Sequence, residues 1–424
     1  MNSGEYKLMG LAPYGRPIYA NMIRDELIDI KPDGSYRLNM EGFTYGHTLR
    51  MTGAKFEELF GGPRREPESP ISQREMDLAA SVQTVVEEVL LKMCGHVHAE
   101  TGMKNLVMAG GVALNCVANG RILRESPFED VWTQPASGDA GGALGCALFA
   151  WHQLMDGQRN TPRQPDGQAG SLLGPKYSVE EIGRFLDGIG ARYTIEPERE
   201  LLERVAQLLD EGAVVGWFQG RMEYGPRALG SRSIIGDARN AEMQSTMNLK
   251  IKYRESFRPF APSVLAELAH EVFEIDARHE SPYMLMVAPV KQHLRTALAE
   301  AERDQMQGDP DLLRRVNVCR SSYPAITHVD YSARIQTVDE ARFGRYYRLL
   351  RTFHERTGSP LVVNTSFNVR GEPIVRSPED AWECFTHTEM DALVMEDCLV
   401  VKAAQPEQLI TTNRTSHLRR FALD

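Results

Sequence analysis

The chain is poor in cysteine, and its cysteines do not form pairs in the sequence. The six, Cys94, Cys116, Cys146, Cys319, Cys384 and Cys398, stand far apart with no C-x-x-C doublet. That spacing argues against a zinc ribbon and against a secreted disulfide framework, and leaves buried free thiols as the expectation. Long apolar runs are lacking too: the longest are of strand length, too short to span a bilayer. The opening residues Met1 to Glu5 lack the basic and then apolar regions of a secretory leader, so the chain reads as cytoplasmic, without a membrane partner. Positive charge is not in excess: 48 Lys and Arg against 58 Asp and Glu give a net charge of −10, which offers no field to attract nucleic acid. A small anion remains a possible ligand, because basic side chains gathered in one pocket hold phosphate whatever the net charge. Internal repeats and low-complexity tracts are absent from the sequence.

What is present is ordinary globular composition, 42% hydrophobic and 25% charged over 424 residues, enough for two or three domains with their own cores. A capping box from Ser72 to Glu75 opens the first readable helix, with Leu78, Val82, Val85, Val89 and Met93 at helical spacing and Gly102 to end it. The doublet His96 and His98 falls near that helix end, where residues two apart point to different sides, and is not read as a metal pair. Two strand, glycine-turn, helix units follow. The first is Asn105–Ala109, Gly110 and Gly111, then 113–124; the second is Val131–Thr133, Ser137–Gly142, then 143–155. Residues 158–173 are rich in Gly, Pro and polar side chains and read as a linker between domains at 1–157 and 174–424. A second capping box, Ser178 to Glu181, starts helices near 178–189 and 199–211, followed by a strand at 213–218. Residues 296–317 read as a charged helical excursion, and the alternation of strands and helices makes the class α/β.

Four groups of residues point to chemistry. Gly110 and Gly111 sit where a strand hands over to a helix, a place where backbone N–H groups approach phosphate; a tight turn with positive φ is the plainer reading. Gly138, Asp139 and Gly141 repeat that arrangement with a carboxylate suited to a metal or a ribose, or simply to capping a helix. From Gly220 to Pro262 the chain gathers Arg221, Arg227, Arg232, Lys250, Lys252, Arg254 and Arg258 among glycines, prolines and aromatics. This composition fits an anion cradle better than a solvated face, with Glu223, Asp237 and Glu255 as alternative structural partners for single arginines. Finally, His328, Asp330, Arg334 and Gln336 alternate along one segment, and Asn364, Ser366 and Asn368 along another, as if each set lined one strand face toward a ligand. A solvated sheet face and a structural His328 are the plainer alternatives.

Taken together, these segments resemble the O-carbamoyltransferases of the nodulation and antibiotic-tailoring type, the NodU/CmcH group. The matching stretches are Gly4–Gly15, Ala109–Asn115, Gly138–Ala143, Tyr224–Ser233, Phe257–Pro262, Thr327–Asp330 with Ala333–Thr337, and Val363–Asn368. Tyr331 stands where that family usually has glycine. The resemblance implies part of an ASKHA (actin/Hsp70-like) domain that binds ATP and carries the final transfer, followed by a YrdC-like α/β domain that handles carbamoyl phosphate. It implies carbamoyl-adenylate as the intermediate and a small-molecule hydroxyl as acceptor. It also implies roles: Gly110, Gly111, Asn115, Gly138 and Gly141 for the nucleotide, Asp139 for a divalent metal (iron or magnesium), and Arg227, Arg232, Lys252, Arg258, His328, Arg334, Asn364, Ser366 and Asn368 around carbamoyl phosphate.

In the resembled family the ASKHA domain begins well before the segment matched by Gly4–Gly15, and its earlier part carries a histidine pair completing the metal site. The expectation is therefore a chain without that lobe, with an incomplete metal site and an exposed apolar face, and with a separate chain as a possible source of the missing part. A binding module without catalysis is the alternative function. A tRNA threonylcarbamoyl activity is disfavoured by the acidic balance and the lack of a basic stripe.

Overall fold

The computed structural model describes residues 4–66, 69–159, 166–253, 257–258, 260–410, 417–418 and 420–421. Arg254, Glu255, Pro259 and residues 160–165 of the linker stretch lie outside the described residues. The chain divides into two compact units: Met1–Met108, Asn115–Trp132 and Gln307–Asp311 in one, Ala109–Leu114, Thr133–Met306 and Leu312–Asp424 in the other.

The first unit is built on a long helix. Short helices α1 (Glu5–Leu11), α2 (Ala20–Glu26) and α3 (Ala54–Leu59), a hairpin of β1 (Ile28–Ile30) and β2 (Tyr36–Leu38), and a pair of β3 (Asn105–Met108) and β4 (Asp130–Thr133) accompany α4 (Gln73–Thr101) and α5 (Cys116–Glu125). The capping box is present: the Ser72 N–H donates to the Glu75 carboxylate at 2.8 Å, and Gly102 ends α4 at φ +62. Val85 joins Ala20, Ile23, Leu27 and Phe60 in one small core, and Cys94 joins Ile122, Phe128 and Val131 in another. Helices α1 to α3 precede the first helix readable from the sequence. Each spans two turns or less, too short for an apolar period to stand out.

The second unit contains a nine-stranded mixed sheet. Its strands are β5 (Thr194–Ile195), β6 (Val215–Phe218), β7 (Arg232–Gly236), β8 (Ala261–Leu265), β9 (Met286–Pro289), β10 (Ser332–Val338), β11 (Leu361–Ser366), β12 (Ala392–Met395) and β13 (Cys398–Val401). They are ordered β5-β13-β12-β6-β7-β11-β8-β10-β9, with β12/β6 and β10/β8 parallel and the other strand pairs antiparallel. The helices are α6 (Asp139–Phe149), α7 (Val179–Ile189), α8 (Glu198–Asp210), α9 (Met243–Thr246), α10 (Ala269–Val272), α11 (Glu300–Gly308), α12 (Leu312–Val316), α13 (Glu340–Thr357) and α14 (Pro378–Thr386). Central strands are buried on both faces, which is why β6 reads as an unbroken apolar run. Phe218 and Ile234 face a core with Ile182 of α7 and Phe385 of α14, whereas Trp217 and Ile235 face one with Val205 of α8 and Leu349 of α13.

Helix α6 and the π-helical turn that continues it to Leu154 bury none of their side chains; Phe149 is 60% and Leu154 74% exposed. Cys146 on that helix and Cys319 are exposed, against the expectation of buried thiols, while the other four cysteines are free and buried. Residues 166–173 are bonded into the second unit: Asp166 accepts from the Tyr283 hydroxyl at 2.8 Å and pairs with Arg342, and Ser171 is fully buried. Among the described residues no helix is long and apolar enough to cross a membrane.

Gly230, in the connection from β6 to β7, has φ +105, and a methyl group there would lie 2.1 Å from the Tyr346 ring of α13. Gly230→Ala is expected to cost about 3 kcal/mol from strain and overpacking. Gly188→Ala, exposed in α7 with open space around it, should gain on the order of 0.5–1 kcal/mol. Urea denaturation of both variants checks this; similar stabilities would contradict the packing described.

Candidate functional site

The connection from β6 to β7 is held from below by a buried carboxylate. Glu223 Oε1 accepts from the N–H groups of Leu229 (2.7 Å), Ser231 (2.8 Å) and Arg232 (3.2 Å). The Gly230 N–H donates to Ser233 Oγ at 3.0 Å and its carbonyl accepts from Trp217 Nε1 at 2.9 Å. The carbonyls of Ala228 and Leu229 accept from Asn364 Nδ2 (3.2 Å) and Gln336 Nε2 (2.9 Å), which are themselves joined to Ser263. Asn364 is thus a strut under the connection, and Arg227, half-buried, is carried on it. Glu223 was legible only as a possible partner of arginines. It binds backbone instead, because a glycine-rich turn presents several N–H groups in one direction.

Arg232 does the reverse with carbonyls. Its guanidinium is fully buried over the Phe218 ring, 3.5 Å from the centroid, and donates to the carbonyl oxygens of Gln219 (3.0 Å), Ser231 (2.9 Å), Pro175 (3.3 Å) and Gly220 (3.4 Å). Burial pulls its pKa down to about 10, with Glu223 and Glu396 opposing. Grouped with the anion ligands in the sequence, Arg232 has both terminal nitrogens engaged by carbonyls of the chain itself, which positions the connection, while its buried Nε has no hydrogen-bond partner.

Lys252, Ser366 and Asn368 do come together. Lys252 ends a π-helical turn (Met247–Lys252), followed by Tyr253 at φ +47. Its buried ammonium donates to the Ser366 carbonyl and hydroxyl and to the Asn368 carbonyl (2.9 Å) and Oδ1 (2.7 Å), so three protons serve four oxygens. Asn368 Nδ2 donates to the Glu372 carbonyl at 2.6 Å, and the Val369 N–H to the Glu372 carboxylate at 2.7 Å. Burial raises the Glu372 pKa, with the Val369 N–H and Lys252 among the opposing influences. Arg258 is buried nearby in sequence, its carbonyl bonded by Gln244 and Asn248.

The two aligned polar faces expected from the sequence are not formed as such. Tyr331 takes φ +64, a left-handed conformation that favours glycine, and this turn interrupts the extended run. His328 and Asp330 therefore precede β10, and only Arg334 and Gln336 lie on it. His328 is buried with Nδ1 3.7 Å from Asp330 Oδ1. Gln336 is taken by the Asn364 network, and Arg334 is half-buried with its Nε lacking a hydrogen-bond partner. Similarly, Asn368 falls beyond the end of β11; Asn364 and Ser366 on that strand serve different neighbourhoods.

The glycine turns meet within the second unit. Gly110, at φ +101, donates its N–H to the Ser137 carbonyl at 2.9 Å, and positions around Gly110 and Gly111 are open. A methyl on Gly141 would lie 2.3 Å from the Ala136 carbonyl oxygen, which makes that glycine a packing requirement. Gly138 is the N-cap of α6, so Asp139 is its first helical residue, with an exposed side chain, and not the cap. Asn115 belongs to the first unit and caps α5, accepting from the Ala118 N–H at 3.1 Å and donating to Gln83 at 3.0 Å. Among the described residues no three His, Cys, Asp or Glu side chains are grouped to hold a metal.

Glu396, unmarked in the sequence, accepts from the Gly220 N–H at 2.7 Å where the connection begins. Burial raises its carboxyl above the ordinary glutamate value, against the Gly220 N–H, Arg345 and Lys176. A raised folded-state pKa means stability fully present below the unfolded value, about 4.3, and lost as pH rises through the folded value. Glu396→Gln keeps an acceptor without the charge. Its stability relative to the unmodified chain, measured by urea midpoints, should therefore improve from pH 4 upward; a pH-independent difference would contradict this.

Two family models match the chain, one described as carbamoyltransferase N-terminus over residues 1–148 and one as carbamoyltransferase C-terminus over 206–402. An uncharacterized protein of Synechocystis is 58% identical over 410 residues, covering 96% of this chain and 65% of that protein. Nodulation protein NolNO of Sinorhizobium fredii is 39% identical (95% of this chain, 54% of that protein), and nodulation protein NolO of Bradyrhizobium diazoefficiens 36% (94% and 66%). The chain thus spans between about half and two thirds of the length of these relatives.

Proposed function

This chain belongs to the carbamoyltransferase family, and on that premise we propose that it is an O-carbamoyltransferase. It forms carbamoyl-adenylate from carbamoyl phosphate and ATP and passes the carbamoyl group to a small-molecule hydroxyl. The observation that carries the proposal is the pinned β6–β7 connection, which holds Arg227 on a backbone already satisfied by Glu223, Asn364 and Gln336. An anion meeting Arg227 there costs little further ordering of the chain. In this reading residues 1–157 are ASKHA-like and 174–424 YrdC-like, joined through 158–173.

Water, deprotonated by His328, attacks the carbonyl carbon of carbamoyl phosphate, and the C–O bond to phosphate breaks to leave carbamate and phosphate. A carbamate oxygen attacks the α-phosphorus of ATP, the bridging P–O bond breaks, and pyrophosphate leaves. The acceptor oxygen then attacks the carbamoyl carbon, AMP departs, and the hydroxyl proton passes to solvent. Arg227, Arg258 and Arg334 balance the anionic charge, while Arg232, Asn364, Lys252, Ser366 and Asn368 position the segments around them. The Gly110–Gly111 turn and the first turn of α6 would hold the nucleotide phosphates, since the positive end of the helix dipole favours anions. Asp139 offers one carboxylate, whereas a divalent ion takes about six oxygens, so the described residues do not by themselves fit a metal there.

The test is pyrophosphate release from ATP that depends on carbamoyl phosphate, together with calorimetric binding of carbamoyl phosphate. Loss of a charge-assisted pair in Arg227→Ala should weaken that binding at least tenfold, about 1.4 kcal/mol. Unchanged affinity would remove Arg227 from the site, and binding without pyrophosphate release would favour a binding module.

A further inference from the structure

The start of α6 and the connection that carries Arg227 meet at Tyr224 and Gly225. The Tyr224 hydroxyl donates to the carbonyl of Ala140, in the first turn of α6. The next residue, Gly225, has φ +138, and a methyl group there would stand 3.3 Å from the Pro135 carbonyl oxygen and 3.5 Å from the Ala136 methyl, both in the segment leading into α6. Behind this contact Tyr224 is clamped. Its N–H donates to the Ser171 carbonyl at 2.7 Å and its carbonyl accepts from Ser171 Oγ at 2.6 Å. Beyond Arg227, the chain is fixed again by Glu223 at Leu229. Arg227 therefore lies between two anchored points, and one of them is attached to the start of α6.

We propose that Tyr224 is a positioning residue that couples occupancy of the two turns, so that a nucleotide at the start of α6 and a phosphate-bearing carbamoyl donor at Arg227 favour each other's binding. This rests on the reading of the two ligand sites given above. The chemistry gives the coupling its use: carbamate released without ATP at hand decomposes to carbon dioxide and ammonia. A donor site set by the nucleotide cleaves only when the next reactant is present. Linkage requires the effect to be reciprocal, each ligand tightening the other by the same factor.

The experiment is a four-way titration of the full chain by calorimetry. Carbamoyl phosphate is titrated with and without α,β-methylene ATP, which cannot release pyrophosphate, and the nucleotide with and without carbamoyl phosphate, for the unmodified protein and Tyr224→Phe. The unmodified protein should bind each ligand at least about fivefold tighter in the presence of the other, by equal factors in both directions. In Tyr224→Phe the factor should fall to within about twofold of unity. Because each factor is referred to that protein's own single-ligand affinity, a general loosening of the connection cancels. An equal factor in both proteins, or none in the unmodified one, overturns the coupling and leaves the proposed activity standing. Failure of the unmodified protein to bind either ligand overturns the site assignments, and the coupling with them.

Discussion

A single stretch of backbone, from Gln219 to Ser233, is held by two buried charges of opposite habit. Glu223 collects N–H groups and Arg232 collects carbonyl oxygens, so each charge is neutralised largely by peptide dipoles of the segment it organises. Taking a charge out of water costs several kcal/mol unless its hydrogen-bonding groups are met, and here the connection meets most of them: one oxygen of Glu223 takes three N–H groups and the terminal nitrogens of Arg232 take carbonyls. The segment therefore has one arrangement. Unfolding it locally would strand a carboxylate and a guanidinium at once. This is how a run of glycine, proline and arginine, which in isolation is a flexible loop, becomes a fixed platform for Arg227.

The sheet supplies what that platform stands on. Ser263, Gln336 and Asn364 come from the neighbouring strands β8, β10 and β11 and form one polar patch beneath Ala228 and Leu229. The π-helical turn ending at Lys252 ties the far end of β11 through Ser366 and Asn368. A π turn places one extra residue in the helical ladder, and here it brings a buried ammonium to four oxygens that would otherwise need other donors. In the proposed function the pinned connection and the glycine turns would meet phosphate through backbone geometry as well as through the arginine side chains it invokes.

Features written in local pattern were legible in the sequence. The capping boxes at Ser72 and Ser178, the glycine stop at Gly102, the apolar strand at β6 and the charged helices at 300–316 each depend on residues within a few positions of one another. Features decided by distant partners were not. Alternation suggested that His328, Asp330, Arg334 and Gln336 share a face, but Tyr331 turns the backbone between the two pairs. The carbonyl partners of Arg232, Pro175 among them, lie up to 57 residues away and leave no local pattern. Glu396 carried no pattern, and Glu223 suggested only an arginine partner, since what they bind is backbone, and backbone has no letter in the sequence.

The claim most exposed to measurement is that Glu223 fixes the connection as a unit. Native-state hydrogen exchange reads it directly through the amides of Leu229, Ser231 and Arg232. These three should exchange as slowly as the Ile234 amide of the central sheet, and all three should speed up together in Glu223→Ala. Exchange at the rate of open, solvated backbone in the unmodified chain would contradict the account.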